Sequence, residues 1–233
     1  MRVALFRDFS FEAAHRNLSV AASPSASRLH GHSYSARVWL AGAIEEQRGW
    51  LVDFADIKGT CAPVIEMLDH RYLNDVEGVQ DATLADIGRW LENHLRRVLP
   101  NFERCTVRIL GESQFNPIVH PERSGTPLER CGFWFAAAHL LPMAAENHKC
   151  RRLHGHSFHI EIAASDTREL HGQLEEIFLR LDHHLLNEIP GLENPTSENL
   201  SRWIWEELSA SQRHPMEIAV QETCTTGCVY RGE

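Results

Sequence analysis

The densest chemistry in this sequence is a histidine pattern that occurs twice. His30-Gly31-His32 and His154-Gly155-His156 each set two imidazoles two residues apart, a spacing that points both rings to one face of a strand. His15 and His139 each precede their pair by 15 residues and can close the set from a neighbouring strand. Three imidazoles with one position left open are the donor set of a catalytic rather than a structural zinc ion, though other divalent ions also accept them. A single such motif reads equally well as coincidence in a turn-rich stretch. Its recurrence, each time with the partner histidine, makes His15, His30, His32 and His139, His154, His156 two candidate zinc sites.

Groups that can move protons stand near these sets. Cys150 lies four residues before His154, in His148-Lys149-Cys150-Arg151-Arg152. Flanking cations favour a thiolate and are expected to lower its pKa; the plainer alternative is an inert loop cysteine. The corresponding position before His30 is Ala26, so the first set has no thiol. Asp69-His70 and Asp182-His183 are candidate proton relays, since a carboxylate orients and charge-tunes a histidine that touches it. Sequence neighbours need not face each other, and the repetition is what argues for a role. Glu112 and Glu222 are carboxylates able to take paired N–H donors from an aminopyrimidinone ring, or simply acids on an exposed edge strand. Cys224 and Cys228 come with no evident further ligands for a second metal site and read as packing residues.

These motifs belong to one unit written twice. Phe9-Ser10-Phe11-Glu12-Ala13-Ala14-His15 returns as Phe133-Trp134-Phe135-Ala136-Ala137-Ala138-His139, and Arg28 to Ser33 returns as Arg152 to Ser157, both at an offset of 124. Leu68-Asp69-His70 returns as Leu181-Asp182-His183 at an offset of 113, and Glu112 faces Glu222 at 110. The second copy is therefore 11 residues shorter between its histidine pair and its Asp-His pair. The missing part corresponds to the segment around Asp53-Phe54, which only the first copy possesses. The expected organisation is a first unit over 1–113, a Pro-rich linker over 114–129 and a second unit over 130–233.

Each unit must supply strands and helices to hold these groups. Aromatics two apart in Phe6 to Phe11 predict a strand, as do 33–41, 104–110, 156–163 and 216–220. Leu84, Ile87, Leu91 and Leu95 share one helical face after Thr83. Leu200, Trp203, Ile204 and Leu208 do so after Pro195-Thr196-Ser197, a start with capping hydroxyls. Leu170 to Leu181 forms a further stripe. Each copy reads β-β-α-α-β with one additional short strand.

Bulk properties bound the function. A chain of 233 residues with 43% apolar and 24% charged content is an ordinary globular protein. No apolar run is long enough for a membrane span, and an early acid argues against a signal peptide, which makes the cytoplasm the expected location. The net charge of −9 disfavours nucleic acid. Six cysteines without a secretory signal argue against a disulfide framework.

Taken together, Cys150-x-x-x-His154-Gly155-His156, Leu181-Asp182-His183-His184, Glu193-Asn194-Pro195-Thr196-Ser197-Glu198 and Glu222-Thr223-Cys224-Thr225-Thr226-Gly227-Cys228 resemble the family of 6-pyruvoyltetrahydropterin synthase and 6-carboxy-5,6,7,8-tetrahydropterin synthase. The ending Cys228 to Glu233 leans towards the bacterial, queuosine-pathway branch. The resemblance implies an α+β tunnelling fold (T-fold): antiparallel sheets with two helices on one face, several units closing into a barrel in a homo-oligomer. It implies Zn²⁺ on the three histidines, Cys150 as proton abstractor, the Asp-His pairs (Asp182, His183, Asp69, His70) as assistants, and Glu222, Thr196 and Glu112 around the pterin. The implied reaction is a carbon–carbon lyase step, from 7,8-dihydroneopterin triphosphate to 6-carboxytetrahydropterin with loss of acetaldehyde and triphosphate. Alternatives are pyruvoyltetrahydropterin synthesis, cleavage of a dihydroneopterin, or a non-catalytic zinc- or pterin-binding protein. Only the second copy carries the complete set, so one full-strength site per pair of units is expected.

Overall fold

A computed structural model describes residues 1–18, 24–45, 47–115, 128–210, 214–223 and 226–232. In the first unit, β1 (Arg2–His15) and β2 (His30–Ala43) form a long antiparallel ladder that runs in register from Arg2↔Ala43 to His15↔His30. This pairing is what brings His15 beside the histidine pair. After α1 (Phe54–Glu66) comes a two-residue strand, β3 (Arg71–Tyr72), parallel to β1; α2 (Leu84–Val98) and β4 (Phe102–Leu110) complete the sheet in the order β3-β1-β2-β4. In the second unit, β5 (Glu129–His139) and β6 (His154–Ala164) repeat the ladder, again pairing His139 with His154. Helices α3 (His171–Leu181) and α4 (Ser197–Ala210) lead to the hairpin β7 (Glu217–Thr223) and β8 (Thr226–Tyr230), giving β5-β6-β7-β8.

The extra short strand therefore differs between the copies: a parallel edge in the first, a terminal hairpin in the second. A single bridge, Ala138↔Leu185, is all that the second unit keeps of the parallel edge among the described residues. Of the expected linker, 116–127 lies outside the described residues, as does Cys224. Its ends are structured: Gln114 bridges antiparallel to Trp134, and Glu129 opens β5. The Asp-Phe segment peculiar to the first copy starts a helix, with Asp53 Oδ1 accepting from Ala55 N at 2.7 Å as the N-cap of α1.

Each unit packs its helices onto its sheet around its own apolar core, with Phe11 stacked on Tyr34 in the first and Phe135 on Phe158 in the second, both at 4.9 Å. The helix stripes read from sequence are those cores at Ile87, Leu91 and Leu95, and at Leu200, Trp203, Ile204 and Leu208, which are buried, whereas Leu84 in the first turn of α2 is exposed. Thr83 forms a capping box with Asp86, and Thr196 Oγ1 accepts from Asn199 N at 3.2 Å. Leu170 falls in a short 3₁₀ turn ahead of α3.

At their inner ends the paired strands run past the apolar alternation, and there the reason is the contact between the units. Strand β1 alternates along its outer part but is buried at every residue from Ala13 to His15. There the strand ends of one unit pack against those of the other, with β1 and β2 meeting β5 and β6. At the centre Gly31 and Gly155 touch backbone to backbone. A Cβ on Gly31 would lie 2.8 Å from Ala13 O and closer still to Gly155 Cα. The middle residue of each histidine pair must be glycine for the two sheets to meet.

Candidate functional site

That contact builds two related sites, each from both units. In the second-unit site, His139, His154 and His156 are buried, and one ring nitrogen of each, with a Glu222 oxygen, lies within 4.8 Å of the others. The Nδ1 of His139 donates to Pro195 O at 3.0 Å and that of His154 to Arg152 O at 2.8 Å. Both Nε2 atoms then carry lone pairs, and they face each other at 3.1 Å. An electron-pair acceptor between them resolves that repulsion, and two nitrogens on a tetrahedral ion with ~2.0–2.1 Å bonds stand about 3.3 Å apart. The residues fit a metal ion.

Burial holds the His139 imidazole down to about 4 and that of His154 further below the ordinary range, the neutral form a metal requires. His156 differs. Burial disfavours its charge, but Glu12 and Glu222 outweigh that and push it up to about 9. Glu222 Oε1 stands 3.0 Å from His156 Nε2, and its Oε2 accepts from Ser197 Oγ at 2.9 Å. Despite its own burial, these contacts hold the Glu222 carboxyl down to about 2. An ionised carboxylate here is available to a metal or to the N–H edge of a ring.

The Asp-His pair that reaches this site comes from the other unit. Cys150 Sγ, a His70 ring nitrogen and a His154 ring nitrogen lie within 4.8 Å of one another, and the His70 ring stacks on His154 at 4.3 Å. Asp69 and His70 do face each other: His70 Nδ1 donates to Asp69 Oδ1 at 2.9 Å, which leaves Nε2 for a substrate or thiol. Asp69 also accepts from Glu12 N at 3.0 Å and from Lys149 Nζ at 2.9 Å. These donors hold its carboxyl well below the ordinary range against burial. His70 sits at φ 54°, a left-handed conformation rare outside glycine, and its counterpart His183 at φ 56°. Their N–H groups donate to Glu12 O and Ala136 O, both at 2.6 Å, which fixes the strained turns.

The expectation that neighbouring cations lower the Cys150 pKa is corrected. Burial and then the Glu222 charge push the thiol up, by more than Lys149 and Arg152 bring it down. The sequence shows the cations but not their partners: Lys149 is turned to Asp69, Arg152 Nε donates to His70 O at 3.0 Å, and Arg151 Nη1 donates to Ala144 O at 2.8 Å. A metal ion on the histidines acts in the lowering direction.

The first-unit site is the mirror arrangement. His15, His30 and His32 are buried with their ligand atoms within 4.8 Å, and the His183 ring lies tilted against His30 at 4.2 Å. Burial lowers His15 to about 4, His30 to about 3 and His32 further below its ordinary range. Asp182 accepts from His183 Nδ1 at 2.7 Å, from Ala136 N at 3.0 Å and from Ser113 Oγ at 2.6 Å. A pocket of about 570 Å³ opens here, lined by these histidines with Ala26, Thr83 and Glu112. Glu112 lies just beyond the end of β4, whereas Glu222 lies inside β7. Thr196 takes up its hydroxyl in capping α4. Of the cysteines, Cys61, Cys105 and Cys131 are buried free thiols and Cys228 is a half-buried one. Sequence reasoning did not single out Glu12 or Ser113. The signal for Glu12 was present as a lone acid in a strand end that the repeat fills with alanines.

No helix among the described residues is long and apolar enough to cross a membrane. The sequence matches the family described as 6-pyruvoyl tetrahydropterin synthase twice, over 4–119 and 130–233. A 6-carboxy-5,6,7,8-tetrahydropterin synthase of Synechocystis sp. is 38% identical, over 42% of this chain and 88% of its own length. A dihydroneopterin monophosphate aldolase of Pyrococcus furiosus is 31% identical, over 43% of this chain and 81% of its own. Among solved structures, the 6-pyruvoyl tetrahydropterin synthase of Caenorhabditis elegans is 25% identical, with 47% of this chain and 96% of that chain covered at a TM-score of 0.39. Matched by one family in both halves, the chain belongs to the 6-pyruvoyl tetrahydropterin synthase family and carries two of its units in tandem.

Proposed function

We propose that the chain is a zinc-dependent pterin lyase that converts 7,8-dihydroneopterin triphosphate to 6-carboxy-5,6,7,8-tetrahydropterin with release of acetaldehyde and triphosphate. The observation that carries this reading is the meeting of Cys150 with His70, backed by Asp69, at the edge of the His139-His154-His156 set. Zinc held by those three imidazoles would polarise the side-chain oxygens next to the ring and acidify the neighbouring C–H bonds. Cys150 would take a proton there, and His70 Nε2 would give or accept one, its other nitrogen tied to Asp69. Glu222 orients the pterin through its N–H edge, with Thr196 beside it at the start of α4. A pocket of about 490 Å³ lined by Arg71, Arg152 and Tyr72 opens beside His70 and offers cationic groups to the triphosphate. The first unit, without a thiol, supports the second-unit site and contributes its Asp-His pair. Further copies of the chain would close the sheets into a barrel.

Incubation of zinc-loaded protein with 7,8-dihydroneopterin triphosphate, followed by mass spectrometry, tests this. The expected products are the 6-carboxy compound and acetaldehyde. A pyruvoyl product, or cleavage of a phosphorylated dihydroneopterin alone, would replace the assignment by one of its relatives' activities. Cys150→Ala should abolish turnover with zinc still bound; retained turnover would remove the mechanism.

A further inference from the structure

The metal-facing imidazoles are held from behind by their Nδ1 atoms, and here the two sites differ. In the second unit His139 and His154 donate to backbone carbonyls, and in the first His15 and His30 do the same, to Ala82 O at 3.0 Å and Arg28 O at 2.9 Å. The third histidine breaks the symmetry. His156 Nδ1 donates to Glu12 Oε2 at 2.8 Å, a carboxylate that crosses from the first unit and is itself fixed by Ser33 Oγ at 2.6 Å. Its counterpart His32 Nδ1 is buried with no hydrogen-bond partner among the described residues. The cause is one residue: the repeat places Ala136 where Glu12 stands, opposite Ser157 as Glu12 is opposite Ser33.

A carboxylate behind a metal-bound imidazole fixes its tautomer and ring orientation and raises its basicity, and losing it typically costs ~10–100-fold in metal affinity. We propose that Glu12 is the positioning carboxylate of the second-unit metal site, and that its absence at Ala136 makes the first-unit site the weaker of two unequal metal sites. The inference rests on the metal reading of the histidine sets. It makes the fused chain a protein with one firmly and one loosely held ion, although each site has its three histidines, with the Glu222 carboxylate near the second set alone.

The test is graded chelator competition on the full chain loaded with zinc, and with cobalt(II) as a spectroscopic probe. His30→Ala and His154→Ala assign each equivalent to its site. Wild-type protein should release two equivalents in steps about 10–100-fold apart, the weaker one vanishing in His30→Ala. Glu12→Ala should bring the steps together and shift the cobalt bands of the second-unit site alone. Its backbone bonds to the Asp69-His70 turn survive that change. Glu12→Gln, which keeps an acceptor oxygen, should lie between. Equal affinities in the wild type, or a Glu12→Ala protein that weakens both sites alike, would overturn the inference and leave the metal reading intact. A folded protein that takes up neither ion would remove the metal reading itself.

Discussion

Replacing Gly31 by alanine tests whether the two units are held in the arrangement that builds both sites. The new methyl carbon would lie 2.8 Å from Ala13 O and 2.9 Å from the Gly155 carbonyl carbon, and closer to Gly155 Cα. All three are backbone atoms, so no side chain can swing away. Carbon atoms pack at ~3.5–4.0 Å, so the strands must part by about 1 Å. The reciprocal bonds Ser33 N to Ser157 Oγ at 3.4 Å and Ser157 N to Ser33 Oγ at 3.3 Å are already long and would be lost. Overpacking costs about 1–3 kcal/mol and each lost hydrogen bond about 0.5–1.5 kcal/mol, for a total of about 2–6 kcal/mol. At ~2–4 °C per kcal/mol for a domain of this size, Tm should fall by about 4–24 °C. Thermal unfolding followed by circular dichroism reads this. Gly59→Ala is the control, because its Cβ would meet nothing within 4 Å on the exposed side of α1. It should raise stability by about 0.8–1 kcal/mol. A Gly31→Ala protein that melts with the wild type while Gly59→Ala behaves as expected would refute the reasoning.

Three further outcomes follow from the geometry. Asp69→Asn and His70→Ala should lower steady-state turnover by ~10²–10⁴-fold, and the same changes at Asp182 and His183 by far less. Equal losses from both pairs would contradict the crossed assignment. The Asp182 carboxyl is held below its ordinary 3.8: burial raises it, but His183, Ser113 and Ala136 N–H outweigh that. A carboxyl depressed on folding gives stability that is fully present above its unfolded value and is lost as pH falls through the folded one. Asp182→Asn should therefore flatten the fall of Tm as pH drops below about 5; an unchanged acid limb would contradict it. Thr83→Ala removes the hydroxyl of the α2 capping box and should cost about 1 kcal/mol in urea unfolding.

What the sequence shows of this protein is what local periodicity can carry. The histidine pairs, the helix stripes ending in Leu95 and Leu208 and the capping hydroxyls at Thr83 and Thr196 are all read within a few residues. The repeat extends that reading, because it compares the chain with itself. What escapes is set by the contact at Gly31 and Gly155. Nothing local says that Asp69-His70 will stack on His154 rather than on His30, or that Glu12 will reach His156. The misjudged thiol has the same origin: Lys149 and Arg152 sit beside Cys150 in sequence, while Asp69 and Glu222 arrive through the fold.

The crossed geometry also bears on where the two copies differ. Because each site borrows from the other unit, a change in one copy does not disarm that copy's own site alone. The first unit keeps what the second-unit site uses: Glu12 on His156, and Asp69-His70 beside Cys150. It lacks a thiol at Ala26, which only the first-unit pocket would use. The second unit keeps Cys150 for its own site but lacks a carboxylate at Ala136, which would serve His32 across the contact. Both differences, on different units, fall on the same site. Two independent differences converging there are the pattern expected if the chain maintains one complete site, assembled from both halves.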